Sequence, residues 1–201
     1  MTITVDILKA IAPGSKKTNY KHLPGLALWM NHWFPAFKID SIGEVRHFLS
    51  QGAHETDSFN ALEEYASGNA YDTRIDLGNT PQIDGDGARL KGRGIFMTTG
   101  AFNYKKATLE WNERFPEEER DFFTNPDLLE EPEYAVWSAC LYWDQRGLDV
   151  VASMPDSSRI WVKKLNRYLF PIEYITWRIN GGFNHFKERK AFYERAKNII
   201  K

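Results

Sequence analysis

Between Ser67 and Gly94 the chain drops the apolar spacing of its flanks and turns to Gly, Asp, Asn and Thr. The stretches are Ser67-Gly68-Asn69-Ala70-Tyr71, Leu77-Gly78-Asn79-Thr80-Pro81, Asp84-Gly85-Asp86-Gly87 and Gly92-Arg93-Gly94. A polar connection this long is uncommon inside a compact domain and usually functional, since its backbone must find partners without a core of its own. Its flanks read as helices. Ile3, Ile7, Leu8 and Ile11 form a short amphipathic set ended by Pro13-Gly14, and Leu23 to Phe37 reads as a core helix with Pro24 in its first turn and Pro35 at its stop. Ser41-Ile42-Gly43-Glu44 has capping-box spacing and opens a third helix, striped by Ile42, Val45, Phe48, Leu49 and Ala53 and running out near Asp57. Helical patterns return in Tyr104 to Phe115, Tyr134 to Arg146, Arg159 to Tyr168 and Phe186 to Ile200, with Pro116, Pro126, Pro132 and Pro155 between them. No alternating strand run persists, so the expected class is mainly α, with at most a small hairpin in the polar loop.

A length of 201 residues fits one domain, and 42% hydrophobic residues with 14% aromatics are enough to fill a core, which excludes wholesale disorder. The single cysteine, Cys140, cannot close an intrachain disulfide, and its apolar neighbours predict a buried thiol. No run has the length of a membrane span, and the first residues lack the build of a secretory signal, so neither membrane insertion nor self-export is expected. The net charge of -1 hides an asymmetry: residues 110–156 carry 13 acidic against 3 basic side chains, residues 159–201 carry 11 basic against 3 acidic. Solvated helix faces pairing with the acidic segment account for the basic quarter more simply than an anionic polymer does, and no nucleic-acid partner is expected.

Glu55 is the most informative position. At 100° per residue it lies about 20° round from Phe48, on the border of the buried stripe. Burial and the negative end of the helix dipole both disfavour its charge, which suits a general acid; the plain alternative is a boundary glutamate paired with Arg46 or Arg74. Leu62-Glu63-Glu64-Tyr65 adds carboxylates just before the polar loop, and two carboxyl groups flanking a cleft are the apparatus of glycoside hydrolysis, although adjacent glutamates also occur on any solvated helix. Metal chemistry finds no footing. His54-Glu55 lacks the second His of a zinc-protease pattern, the five His are scattered, and Asp84-Gly85-Asp86-Gly87 lacks the twelfth-position ligand of a calcium loop.

Taken in order, several motifs point one way: Ala53-His54-Glu55-Thr56, Leu62-Glu63-Glu64-Tyr65-Ala66-Ser67-Gly68, Leu77-Gly78-Asn79-Thr80, Lys91-Gly92-Arg93-Gly94-Ile95, Thr99-Gly100-Ala101-Phe102-Asn103-Tyr104 and Ile175-Thr176-Trp177-Arg178-Ile179-Asn180-Gly181-Gly182. This set, spanning about residues 3 to 190, resembles family 19 glycoside hydrolases, in particular the lysozyme-like, chitinase-related endolysins of phages that infect Gram-negative bacteria. The resemblance implies a single catalytic domain over residues 1–201 with no separate wall-binding module. It would be a lysozyme-like domain of two lobes about a cleft, with the polar loop in the cleft wall and the lesser lobe within 110–156.

It further implies Glu55 as general acid, Glu64 as general base on water, and Thr99 as a hydroxyl helping to hold that water. His54, Asn103, Tyr104, Arg178 and Asn180 fall at substrate-binding positions; the plain roles of Asn103 and Asn180 would be a helix cap and a turn before Gly181-Gly182. One departure stands out: Met97 precedes Thr98-Thr99 where the family usually has a Gln. The implied reaction is inverting hydrolysis of β-1,4 bonds in peptidoglycan, with carboxyl groups ~6.5 to 9.5 Å apart and no metal or organic cofactor. The implied setting is a monomer held in the host cytoplasm until a separate membrane-permeabilising protein admits it to the periplasm. A chitinase, or a non-catalytic glycan binder, are the alternatives.

Overall fold

The structure is a computed structural model that describes residues 1–15 and 18–201. It is mainly α, as expected. The helices are α1 (Val5–Ile11), α2 (Leu23–Ala36), α3 (Ile42–Glu55), α4 (Asp86–Arg89), α5 (Ala101–Arg114), α6 (Pro132–Gln145), α7 (Leu148–Ala152), α8 (Pro171–Asn180) and α9 (Phe186–Ile199), with strands β1 (Ile160–Val162) and β2 (Arg167–Leu169) before α8. Two compact units emerge, one of Met1–Asn60 with Cys140–Lys201, the other of Ala61–Ala139. The smaller lobe expected within 110–156 is therefore corrected. Trp143 packs on Phe48 at 5.4 Å, and α7 buries Leu148, Val151 and Ala152, so residues 140–156 join the first unit while the second takes in the polar loop.

In the first unit α3 lies along α9. The capping box forms as read: the Ser41 hydroxyl accepts from the Glu44 amide and the Glu44 carboxylate from the Ser41 amide, both at 3.2 Å. Val45, Phe48, Leu49 and Ala53 are buried, whereas Ile42, in the first turn, stays 44% exposed. Gly43 lets α3 approach α7, because a Cβ there would collide with the Ala152 carbonyl. Cys140 is fully buried, and burial pushes its thiol pKa well up.

His47 is wholly buried on α3 and stacks on Tyr193 of α9, with ring centroids 4.2 Å apart. Burial depresses its pKa from 6.5 to about 3. The folded protein thus holds His47 neutral across a range in which the unfolded chain takes up a proton. Stability contributed by this site is present above about pH 6.5 and falls by about 1.4 kcal/mol per unit as the pH drops toward 3. Denaturant titrations of His47→Phe, which keeps a ring for the stack, should show a shallower loss between pH 6 and pH 4 than the unaltered protein; equal slopes would remove His47 from the account.

The expected helix over Arg159 to Tyr168 is instead a hairpin, with Ile160 opposite Leu169, Trp161 opposite Tyr168 and Val162 opposite Arg167. Trp161, Leu165 and Tyr168 do fit a helical i, i+4, i+7 set, but burial follows period two. Val162 and Leu169 point inward, Trp161 and Tyr168 outward, and Asn166 closes the turn in the left-handed region at φ 49°.

In the second unit Trp111 gathers Phe122, Tyr134 and Trp137 at centroid distances of 6.0, 5.0 and 5.1 Å. The polar loop, read as holding at most a small hairpin, has none among the described residues. The loop is built from 3-10 turns at Asn69–Tyr71 and Ile75–Leu77, then α4, with single bridges pairing Arg93 to Glu63 and to Thr98. Two buried side chains replace ladder bonds. Asn79 donates to the Tyr71 carbonyl at 2.8 Å and accepts from the Ala101 amide at 3.0 Å, while Asp72 accepts from the Gly87 amide at 2.7 Å.

Candidate active site

The two carboxylates expected to share the chemistry lie one in each unit, and each is built by its own surroundings. Glu55 is the last residue of α3. Beyond it, Asp57, Ser58 and Phe59 all adopt left-handed backbone, with φ of 49°, 63° and 61°, a conformation that non-glycine residues take only at a cost. Thr56 holds this turn: its buried hydroxyl donates to the Gly52 carbonyl at 2.6 Å and accepts from the Phe59 amide at 3.0 Å.

The Glu55 side chain is 19% exposed, close to the border position read from the helix wheel. Its partner is neither Arg46, which donates to the Ile200 carbonyl, nor Arg74, which pairs with Asp76. It is Arg189 of α9, whose Nη2 donates to Glu55 Oε1 at 2.6 Å while Nη1 donates to Gln51 Oε1 at 2.8 Å; Gln51 in turn donates to Thr176 Oγ1 at 3.1 Å. Arg189 is 1% exposed. Glu55 thus has a buried guanidinium fixed against one carboxylate oxygen.

His54, one residue earlier, meets Glu188 Oε2 through Nδ1 at 2.7 Å. Burial, then the nearby Arg189 charge, lowers the His54 pKa, while Glu188 pulls the other way. Arg178 and Asn180 lie on the last turn of α8 in the same unit. Arg178 donates to the Tyr174 hydroxyl at 3.3 Å, and Asn180 Nδ2 is buried without a hydrogen-bond acceptor among the described residues. The turn that follows is supplied by Gly181 at φ 73°.

In the second unit the adjacent glutamates have different surroundings. Glu63 is tied into a cationic frame: its Oε1 lies 2.9 Å from Lys91 Nζ and 3.0 Å from Arg93 Nη2, and Arg93 also meets Asp127 at 3.0 Å and Glu130 at 2.9 Å. Glu64 accepts from the Tyr71 hydroxyl at 3.0 Å through Oε2, while its Oε1 is buried with no donor in the protein. The Tyr71 pKa is raised, first by burial and then by the Glu64 charge. Gly92 lies under the site, where a Cβ would come within 3.3 Å of both Glu64 Oε2 and Thr99 Oγ1. The Thr99 hydroxyl donates to the Met97 carbonyl at 2.9 Å, so its oxygen remains an acceptor. Met97, in the place of the family's Gln, has left-handed backbone at φ 49° beside Gly92.

Asn103 does not cap α5. Gly100 holds the cap position, and the exposed Asn103 amide donates to the Thr99 carbonyl at 2.7 Å, bracing the segment that carries the hydroxyl. Tyr104 needs correction as a sugar contact. It is wholly buried, its hydroxyl donating to the Lys91 carbonyl at 2.7 Å and accepting from Arg93, which makes it a prop behind the Glu63 frame. Arg189, Gln51, Thr176 and Tyr71 were not anticipated from the motifs.

No family model matches the chain. A curated relative from Haemophilus influenzae, described as a glycosyl hydrolase family 19 domain-containing protein, is 34% identical over 117 residues, 58% of this chain and 46% of the relative. The chain thus spans about half the length of the curated relative it matches. Among solved structures, a bacterial family 19 chitinase shares the fold at a TM-score of 0.60 and 19% identity, covering 100% of this chain and 95% of its own. Chitinase C from Streptomyces griseus HUT6037 does so at 0.59 and 19%, covering 99% and 76%. The fold is that of the family 19 chitinases, and the family 19 resemblance read from the ordered motifs agrees with the curated relative's description.

Proposed function

We propose that the chain is an inverting glycoside hydrolase of the family 19 kind that cuts β-1,4 bonds in peptidoglycan and serves as a lysozyme-like phage endolysin. Glu55 protonates the leaving glycosidic oxygen, Glu64 takes a proton from the attacking water, and Thr99 offers that water a second contact. The observation that carries the reading is the contrast within Glu63-Glu64. One carboxylate is neutralised by Lys91 and Arg93, whereas the other keeps a buried oxygen with no donor in the protein and a threonine hydroxyl nearby, as a water-activating base requires.

Arg189 gives Glu55 a second task. With the carboxyl protonated, Glu55 can still accept from the guanidinium, so the proton sits on the other oxygen, and the anion left after proton transfer is met by a fixed cation. Arg178 and Asn180 supply donors to the sugar, with His54 and Asn103 holding neighbouring backbone and side chains in place. No cofactor enters this chemistry. The proposed setting is a monomer retained in the host cytoplasm until another protein opens the membrane.

Turbidity loss of outer-membrane-permeabilised Gram-negative cells is the test. Clearing without release of soluble sugar from chitin is expected. Sugar release from chitin without clearing would favour the second reading, a chitinase, which is what both solved neighbours are named. Neither activity would favour a glycan binder. Glu63→Gln is expected to leave turnover within about threefold, since its charge serves the Arg93 frame, and to cost about 1 kcal/mol of stability. A larger loss of turnover than in Glu64→Gln would move the base to Glu63.

A further inference from the structure

The β1–β2 hairpin carries more than its fold needs. Its inward residues Val162 and Leu169 are buried, yet its outer face shows Trp161 at 50% and Tyr168 at 60% exposure, directly opposite each other in the ladder. Natural two-stranded ribbons commonly put polar residues on a solvated face, whereas here a cross-strand Trp–Tyr pair, its rings 5.0 Å apart, stands open to solvent. Phe170, 37% exposed, extends the apolar strip and carries the Arg159 guanidinium 3.3 Å from its ring centroid.

On the hairpin itself the charge has one sign, whereas Asp156, Glu173 and Glu194 gather beside Phe170 at its base. From Ser157 to Ile172 the sequence has Arg159, Lys163, Lys164 and Arg167 and no acidic residue. Arg167 meets Glu173 at 3.2 Å; Lys163 and Lys164 stand exposed on the 3-10 turn at the hairpin tip. The basic quarter was expected to pair with the acidic segment. Lys197 does so with Asp156 at 2.6 Å, but Arg189 and Arg167 find acids elsewhere, and the tip faces solvent.

We infer that the outer face of this hairpin docks the protein on an anionic lipid surface, with Trp161 and Tyr168 seated among the headgroups and Lys163 and Lys164 against their phosphates. Amphipathic Trp and Tyr rings favour the membrane interface, and Lys and Arg add attraction to an anionic leaflet, the two signals that together give reversible peripheral binding. A polysaccharide is the less suited occupant. The Trp161 and Tyr168 rings are inclined at 59° with centroids 5.0 Å apart, so they offer no flat shelf for successive sugars, whereas seating at a lipid interface needs no coplanarity. The inference is independent of the proposed hydrolysis, for none of these residues belongs to the site described above.

Co-sedimentation of the full chain with vesicles of phosphatidylethanolamine and phosphatidylglycerol tests it, with phosphatidylcholine vesicles and purified peptidoglycan sacculi alongside. Binding to the anionic vesicles is expected, weakened at least about tenfold on phosphatidylcholine and by added salt. Lys163→Glu/Lys164→Glu and Trp161→Ala/Tyr168→Ala should each reduce it about tenfold or more with unchanged thermal midpoints, while Trp161→Phe/Tyr168→Phe should keep most of it. Brominated lipid should quench fluorescence in the unaltered protein that Trp161→Phe lacks. No vesicle binding, vesicle binding equal in all variants, or retention on sacculi that the same variants abolish without any vesicle binding would each overturn the inference.

Discussion

Glu55→Gln is expected to lower glycan turnover by about 100- to 10,000-fold while leaving the protein folded. Glutamine keeps an oxygen for the Arg189 guanidinium, which stays hydrogen-bonded to Gln51 as well, so the buried cation is not stranded. What is lost is the proton. An amide cannot deliver one to the glycosidic oxygen, and the leaving group must depart as a poor alkoxide. Substrate affinity should change little, so the loss belongs in kcat rather than KM. Lysis by Glu55→Gln at the unaltered rate would end the assignment of Glu55.

Arg189→Met should produce the largest loss of stability. Arg189 is 1% exposed and joins Glu55, at the end of α3, to Gln51 one turn earlier, across the helix pair on which the first unit is built. Removing it leaves a half-buried carboxylate without its cation and an amide oxygen without its donor. The expected cost is about 3 kcal/mol, or about 10 °C in thermal midpoint for a chain of this size. Adding Glu55→Gln to Arg189→Met should recover part of that cost, because no uncompensated charge then remains; a purely additive double variant would show that the pair is not coupled.

Much of the framework was legible in the residues themselves. The α3 capping box, its stripe from Val45 to Ala53, the buried thiol and the border position of Glu55 follow from local spacing and appear where spacing places them, while Ile42 in the first turn does not. The hairpin was misread because Trp161, Leu165 and Tyr168 satisfy helical spacing, while the register that buries Val162 and Leu169 depends on a left-handed Asn166 that no periodicity reveals. α7 is hidden from periodicity for another reason: it is one short turn and a half, and part of its packing comes from a segment distant in sequence, as at Gly43 against Ala152.

Arg189 does leave a trace in the sequence. It shares a helical face with the buried Phe192, Tyr193 and Ala196, and an arginine on an apolar stripe calls for a buried acid. Its partner lies 134 residues away, beyond any local pattern. The sorting of Glu63 from Glu64 was equally out of reach, for it depends on Lys91 and Arg93 being returned beside Glu63 by the polar loop. Tyr104 shows the converse: a residue placed by motif at the sugar is instead spent holding the Lys91 carbonyl.

The anomeric form of the first sugar released from a soluble β-1,4 glycan, read by proton NMR before mutarotation, tests the central claim most directly. Water activated by Glu64 and a proton from Glu55 must give the α-anomer in a single displacement. A β-anomer as the initial product would mean that the bond is cut with retention, and that these two carboxylates do not divide the work in this way.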